Sequence, residues 1–361
     1  MKILLFAPGK SIHTHKWATF FKNKGHEVRV VTFSDHYSEE NAEEIETYSL
    51  KKRLPGKLSY FSSVGQLKKI LSDFQPDIFH AHYVSSYGFV GALVNFHPYY
   101  ISVWGRDVYQ FPQQGKINKQ MVEYGLRKAD VICSTSHVMA KETGKYTNKP
   151  IPVTPFGVDL TKFKPAFELR ENQDELTIGT VKALSDKYGI GDLIKAFHRI
   201  QSKHPNTKLM IVGDGPQREE YEELCRTLGI AQKVTFTGKV PNPEVPNYIN
   251  KMSIFAVPST EDSESFGVAA VEAQACGVPV VVSNVGGLPE VVKNGVTGYV
   301  VPKENPVELA NALCKLLENE QLRKDMGQKG IAHVEGQYNW LDNAQSMLDL
   351  YEQTLSKGSV R

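Results

Sequence analysis

The sequence predicts an α/β protein built on two doubly wound parallel sheets. Three observations predict it. Short apolar runs alternate with helix-period stretches along nearly the whole chain, the order that a parallel sheet requires. The 361 residues are enough for two cores of ordinary size. A polar stretch, Ala166–Glu175, separates two such alternating series and reads as a linker.

In the first series Lys2–Ala7 reads as a strand, and Pro8–His15 as a loop. Lys16–Lys24 is an amphipathic helix with Trp17, Phe20 and Phe21 available for a core. Val28–Phe33 is the second strand. Asp35–Leu50 is acidic and weakly patterned, so it is expected to be loop and sheet edge. Helices over Val64–Phe74, Met121–Ala129 and His137–Thr143 alternate with strands over Asp77–His82, Tyr99–Val103, Asp130–Ser134 and Ile151–Val153.

The second series supplies strands at Leu176–Thr180, Lys208–Val212, Val234–Thr237, Ile254–Val257, Val278–Ser283 and Gly298–Val301. Its helices are expected at Gly191–Lys203, Gln217–Leu228, Pro243–Asn250, Phe266–Cys276 and Pro306–Glu318. The tail from Gln337 to Ser356 is helical in pattern.

Composition narrows the class. Apolar residues make up 41% and charged residues 23%, as in a globular protein. No apolar run reaches the roughly 20 residues of a membrane-spanning helix. Residues 1–7 are too short for a signal peptide. Cys133, Cys225, Cys276 and Cys314 are scattered, which argues against a disulfide framework or a zinc site and suits a reducing cytoplasm. The net charge of +2 hides an asymmetry: residues 1–165 carry 22 Lys and Arg against 14 Asp and Glu, and the remainder 20 against 26. A basic first half, with clusters at Lys51-Lys52-Arg53, Lys57 and Lys68-Lys69, suits an anionic acceptor or a membrane surface. Nucleic acid is not expected as a partner.

The stretch Pro258–Pro302 carries the most chemistry. Glu264 and Glu272 have seven residues between them. Glu264 follows the polar loop Ser259–Ser263. Glu272 lies among small helix formers that stop at Gly277. A helix starting near Phe266–Gly267 separates the carboxylates by a little over two turns, so they hold different parts of one long ligand rather than forming a close acid–base pair. The N–H groups of Phe266, Gly267 and Val268 at its start favour an anion. Val278–Ser283 reads as a covered strand that runs into Asn284-Val285-Gly286-Gly287, at the end of the sheet where ligands of such folds bind. Leu288-Pro289-Glu290 opens another helix. Gly213 and Gly215 lack the third glycine of a dinucleotide fingerprint, which disfavours an oxidoreductase.

These residues resemble the signature of the retaining glycosyltransferases of family four: Glu264, Phe266-Gly267, Glu272, then Gly277-Val278-Pro279-Val280, Gly286-Gly287-Leu288-Pro289-Glu290 and Gly295-Val296-Thr297-Gly298. Phe156-Gly157-Val158-Asp159 with Phe163-Lys164-Pro165 resembles that family's boundary marker. The resemblance implies the GT-B fold: two Rossmann-like domains facing a cleft, here 1–165 on the acceptor side and 166–336 on the nucleotide-sugar side, with a helix in 337–361 that packs back on the first.

The resemblance also implies roles. Lys187, and Lys182 where the family usually has Arg, would grip the donor diphosphate. Glu272 would bind the ribose and Glu264 a hydroxyl of the donor sugar, with the backbone of Phe266, Gly267 and Val268 lining sugar and phosphates. Val240, in Gly238-Lys239-Val240-Pro241, would frame the base. In the first domain Gly9, His82 and Asp107 would face the substrates, with Trp104 where many members have His. The expected activity is retaining, metal-independent transfer of a hexose or N-acetylhexosamine from a nucleotide diphosphate sugar, UDP-linked, to a saccharide or lipid-linked acceptor in cell-surface polysaccharide assembly. The enzyme is expected in the cytoplasm or peripheral to the inner membrane surface. Two other readings remain open: a nucleotide-sugar 2-epimerase on the same fold, and a non-catalytic nucleotide-sugar-binding subunit.

Overall fold

The computed structural model describes residues 1–52, 56, 58–171 and 175–358. Arg53 and Lys57 of the basic cluster, residues 172–174 of the linker and the last three residues lie outside the described residues.

The chain forms two compact units. One comprises Met1–Phe156 with Asn343–Arg361, the other Gly157–Asp342. Among the described residues the first holds six strands: β1 (Lys2–Phe6), β2 (Glu27–Phe33), β3 (Thr47–Leu50), β4 (Ile78–His82), β5 (Tyr99–Val103) and β6 (Val131–Ser134). They pair in parallel in the order β3-β2-β1-β4-β5-β6. Every residue of β4 and β5 is buried, because helices cover both faces. The elements depart from the sequence pattern in places, and the helix Phe89–Val94 has no counterpart in it. Asp35–Leu50 contains a short helix, Glu39–Glu44, before the edge strand β3. Ile151–Val153, expected as a strand, makes only an isolated bridge to Ser134.

The second unit repeats the plan with β7 (Thr177–Val181), β8 (Lys208–Val212), β9 (Val234–Gly238), β10 (Ile254–Val257), β11 (Val280–Ser283) and β12 (Gly298–Val301), all parallel, in the order β12-β11-β10-β7-β8-β9. In each sheet the order reverses between the first and the fourth strand of the unit. That is where loops splay apart and ligands of doubly wound sheets bind. The helix Glu320–Gln337 was not expected from sequence. The described part of the linker is tied down: Ala166 N–H donates to Asn250 Oδ1, and Arg170 donates to the carbonyls of Cys276 and Gly277.

The last helix, Trp340–Gly358, returns residues to the first unit. Tyr351 is fully buried there, and its hydroxyl bonds His80 Nδ1 at 2.5 Å. Tyr100 Oη donates to Thr354 Oγ1 and to the Leu350 carbonyl. Among the described residues no helix is long and apolar enough to cross a membrane.

Candidate active site

In the second unit the loops after β7 and β10, on either side of the reversal, carry the charged residues. Lys182 follows β7 directly. Its ammonium lies 2.8 and 2.9 Å from the two oxygens of Glu264, which stands in the loop after β10, and each side chain is only 11% exposed. Tyr188 lies beneath both cations, with Lys182 Nζ 4.8 Å and Lys187 Nζ 4.4 Å from its ring centre. Lys187 is half-buried, and among the described residues no carboxylate pairs with it.

Main-chain bonds hold this loop. Lys182 N–H donates to Val212, Leu184 N–H to Asp214 and Gln217 N–H to Leu184, while Thr260 N–H donates to the Lys187 carbonyl. The Glu264 loop is pinned from its other side. Gly287 N–H donates to the Glu264 carbonyl at 2.9 Å, and Gly286 N–H to Asp262 Oδ1 at 3.2 Å. Gly286 has a φ of +50°, and a Cβ there would stand 2.1 Å from the Glu264 carbonyl oxygen. The glycine pair therefore seats the Glu264 loop rather than offering a separate ligand loop.

The helix after this loop is Val268–Ala275, with Gly267 as N-cap at φ +89°. Of its side chains only Val268 and Glu272, four apart, are not fully buried, so Glu272 lies one turn along the open stripe. The N–H groups of Ala270 and Val271 both turn to the Gly267 carbonyl. Phe266 faces inward, its ring edge-on to Tyr338 at 5.5 Å. Val240 is half-buried just past β9, two strands from β7.

In the first unit the predicted residues gather at the corresponding end of the sheet, but several are engaged internally. Asp107 is 2% exposed. Its Oδ2 accepts from Val84 N–H at 2.8 Å, and its Oδ1 from Trp104 and Gly105 N–H at 3.1 and 2.8 Å. Burial raises its pKa, against these N–H donors that favour the charged form. What this geometry supports for Asp107 is bracing of two loops. Gly9 N–H donates to Thr32 Oγ1, and its carbonyl accepts from Asn41 Nδ2, so both backbone groups are used within the unit. His82 is 2% exposed beneath Trp104, ring centres 4.5 Å apart, and burial holds its pKa well below the ordinary value. Its Nδ1 has no hydrogen-bond partner among the described residues. His13 stacks on Phe156 at 4.3 Å and meets Trp104 edge-on. Burial, with Lys16 nearby, lowers its pKa to about 4. Among the described residues no three His, Cys, Asp or Glu side chains are grouped to hold a metal ion.

Residues 162–333 match the family described as Glycosyl transferases group 1, and residues 2–136 match Glycosyl transferase 4-like. The D-inositol 3-phosphate glycosyltransferase of Kribbella flavida is 30% identical over 331 residues, spanning 83% of this chain and 77% of that protein. The chain belongs to the group 1 glycosyltransferases. Two further relatives of this glycosyltransferase match over less of their length. The D-inositol 3-phosphate glycosyltransferase of Corynebacterium kroppenstedtii is 32% identical over 56% of this chain, and the match spans 48% of that relative. The N-acetyl-alpha-D-glucosaminyl L-malate synthase of Bacillus anthracis is 27% identical over 65% of this chain and 62% of its own length. Among solved structures, sucrose-phosphate synthase of Thermosynechococcus elongatus aligns with a TM-score of 0.84 at 24% identity, over 99% of this chain and 100% of that one. Anabaena HepE, solved with UDP, aligns with a TM-score of 0.85 at 20% identity, over 98% and 100%. The glycosyltransferase has the GT-B fold of these structures.

Three residues of this candidate site were missed from sequence. Tyr188 supports both lysines, and its only signal was an aromatic beside Lys187. Ser259, fully buried, lies 3.5 Å from Glu264 Oε2. Asp262 anchors Gly286. The last two sat in a polar run with no pattern to separate holder from filler.

Proposed function

We propose that this glycosyltransferase is a retaining enzyme that moves a hexose or N-acetylhexosamine from a UDP-sugar to a saccharide or lipid-linked acceptor, in the assembly of a cell-surface polysaccharide or glycoconjugate. The observation that carries the reading is the placement of Lys182, Lys187 and Glu264 together at the reversal of the second sheet, with Glu272 one helix turn beyond. A diphosphate needs fixed cations and a sugar needs an acceptor of hydroxyl protons; both stand at one sheet end. The nucleotide is taken as UDP, the one named in the HepE complex.

In this reaction the bond between the anomeric carbon and the phosphate oxygen breaks, and a bond to the acceptor oxygen forms on the same face. The acceptor proton passes to the departing phosphate, so no protein base is required. Lys182 and Lys187 stabilise the charge that develops on the leaving diphosphate. Glu272 holds the ribose, Glu264 a sugar hydroxyl, and turnover proceeds without added metal.

We also propose that the enzyme works in the cytoplasm, peripheral to a membrane. The helix Leu58–Phe74 exposes Leu58 (58%) and Phe61 (55%) together with Lys68 and Lys69, an apolar and basic combination suited to an anionic leaflet. Co-sedimentation with anionic but not zwitterionic vesicles is the expected result, and equal recovery with both removes this part.

A panel of UDP-sugars incubated with the protein tests the reaction. Slow release of UDP with free sugar of unchanged configuration is expected. Free 2-epimer would favour the epimerase reading, and binding without hydrolysis a non-catalytic subunit.

A further inference from the structure

We propose that a pocket in the first unit binds an anionic group of the acceptor, a phosphate or a carboxylate, with Arg106 as its fixed cation. The word acceptor rests on the transferase reading above; the anion site itself does not.

The pocket has a volume of about 460 Å³, enough for a small polar molecule. It opens at the carboxyl end of the first sheet beside the reversal between β1 and β4, and its walls include Pro8 after β1 and Tyr83 after β4. Its polar lining is rich in donors: Arg106, Tyr83, Ser85, Ser86 and Gln114. The one carboxylate in the wall is Asp107, and both its oxygens are taken by backbone N–H groups. Arg106 is exposed. Its Nε donates to Gln110 Oε1 at 2.8 Å, and among the described residues no carboxylate pairs with its guanidinium. Its two terminal nitrogens remain for a bidentate oxyanion. The hydroxyls of Ser85 and Ser86 make no hydrogen bond within the protein among the described residues, and both residues are half-buried. A concave site with one cation, several neutral donors and no available carboxylate selects for an anion over a neutral polyol.

The backbone is arranged to present these groups. Tyr83 adopts φ +70°, uncommon for a bulky residue, and leads into a π-helical turn, Val84–Gly88, that carries both serines. Asp107 ties Val84 N–H to the helix that begins with Arg106. One buried carboxylate thus fixes the serine turn relative to the arginine.

The test is ligand-observed NMR on the full chain, with inorganic phosphate and malonate as separate probes, comparing wild type with Arg106→Gln and Arg106→Lys. The comparison isolates Arg106 from any anion binding at Lys182 and Lys187. Loss of a charge-assisted bidentate contact should weaken the preferred probe roughly tenfold to hundredfold, with partial recovery in the lysine variant. Arg106-dependent binding of phosphate assigns a phosphorylated acceptor, and of malonate a carboxylate-bearing one. Affinities unchanged by Arg106→Gln, or no binding of either probe to wild type, overturn the proposal. Unchanged thermal midpoints in both variants exclude misfolding as the cause. If UDP-sugars are not hydrolysed while Arg106-dependent binding persists, the transferase reading fails and the anion site stands.

Discussion

Lys182 Nζ sits between the two carboxylate oxygens of Glu264, at 2.8 and 2.9 Å, joining the loop after β7 to the loop after β10. Each of the two side chains compensates the charge of the other. Under the function proposed above, a donor diphosphate would compete with Glu264 for the same ammonium and release the carboxylate toward the sugar.

Because both partners are 11% exposed, removing only one leaves an uncompensated charge. Lys182→Ala should therefore destabilise the protein by about 3 kcal/mol, and the double variant with Glu264→Gln by less than the two single changes together. Denaturant midpoints of the four proteins measure this. Strict additivity would show that the pair is not coupled.

Lys187 rests on Tyr188 without an acidic partner among the described residues, so its loss should spare stability and cost turnover. Lys187→Ala should lower kcat by roughly 10²–10³-fold with an unchanged melting temperature. Activity should also survive a chelator; a requirement for added Mg²⁺ would transfer the charge-stabilising role to the metal.

The two glutamates should separate by ligand. Glu272→Ala should weaken free UDP, because a ribose contact is lost, whereas Glu264→Ala should retain UDP affinity and lose turnover. Calorimetry with UDP alongside steady-state rates resolves them, and equal loss of UDP affinity in both contradicts the division.

Buried and half-buried histidines set an acid limit. His13 has its pKa lowered to about 4 and His80 to about 3, each chiefly by burial, and His82 lies well below the ordinary value. A lowered folded-state pKa means that the unfolded chain binds more protons below its own pKa of about 6.5. Stability is then complete above about pH 6.5 and falls as the pH drops towards 4 and 3, by up to about 1.4 kcal/mol per pH unit for each histidine. Urea midpoints between pH 4 and 7 should show this slope, and His13→Phe, which keeps the stack on Phe156, should flatten it.

Asp107→Asn removes one of two oxygens that serve three backbone N–H groups. Each unpaired buried donor costs about 1–3 kcal/mol. Stability and activity should fall together; a stable but inactive Asn variant would point to direct substrate contact instead.

Most strands were legible as short, largely apolar runs, and β5, β8, β10 and β12 begin and end where the pattern does, whereas β3, half polar, was foreseen only as part of a loop and sheet edge. The helix Glu320–Gln337 was not, because its buried positions include Gly327, Gly330 and His333 rather than a stripe of large apolar residues. It gains closeness instead of bulk: a Cβ on Gly327 would stand 2.4 Å from the Gly277 carbonyl oxygen. In the site, Lys182, Lys187, Glu264 and Glu272 were readable one by one, since motif spacing names residues. Their partners were not. That Lys182 closes on Glu264, that Asp107 reaches Val84 N–H, and that Gly286 and Gly287 hold a loop are facts of approach between segments far apart in sequence.

Tyr351 has a consequence for synthesis. The core of the first unit is completed by a residue made after all of Gly157–Asp342, whereas the second unit is one unbroken segment. On the ribosome the second unit can therefore close its core first. The amino-terminal unit waits, with His80 and Tyr100 lacking their late-made partners, until the final helix emerges, so its nascent form is the stage most open to chaperones and to aggregation.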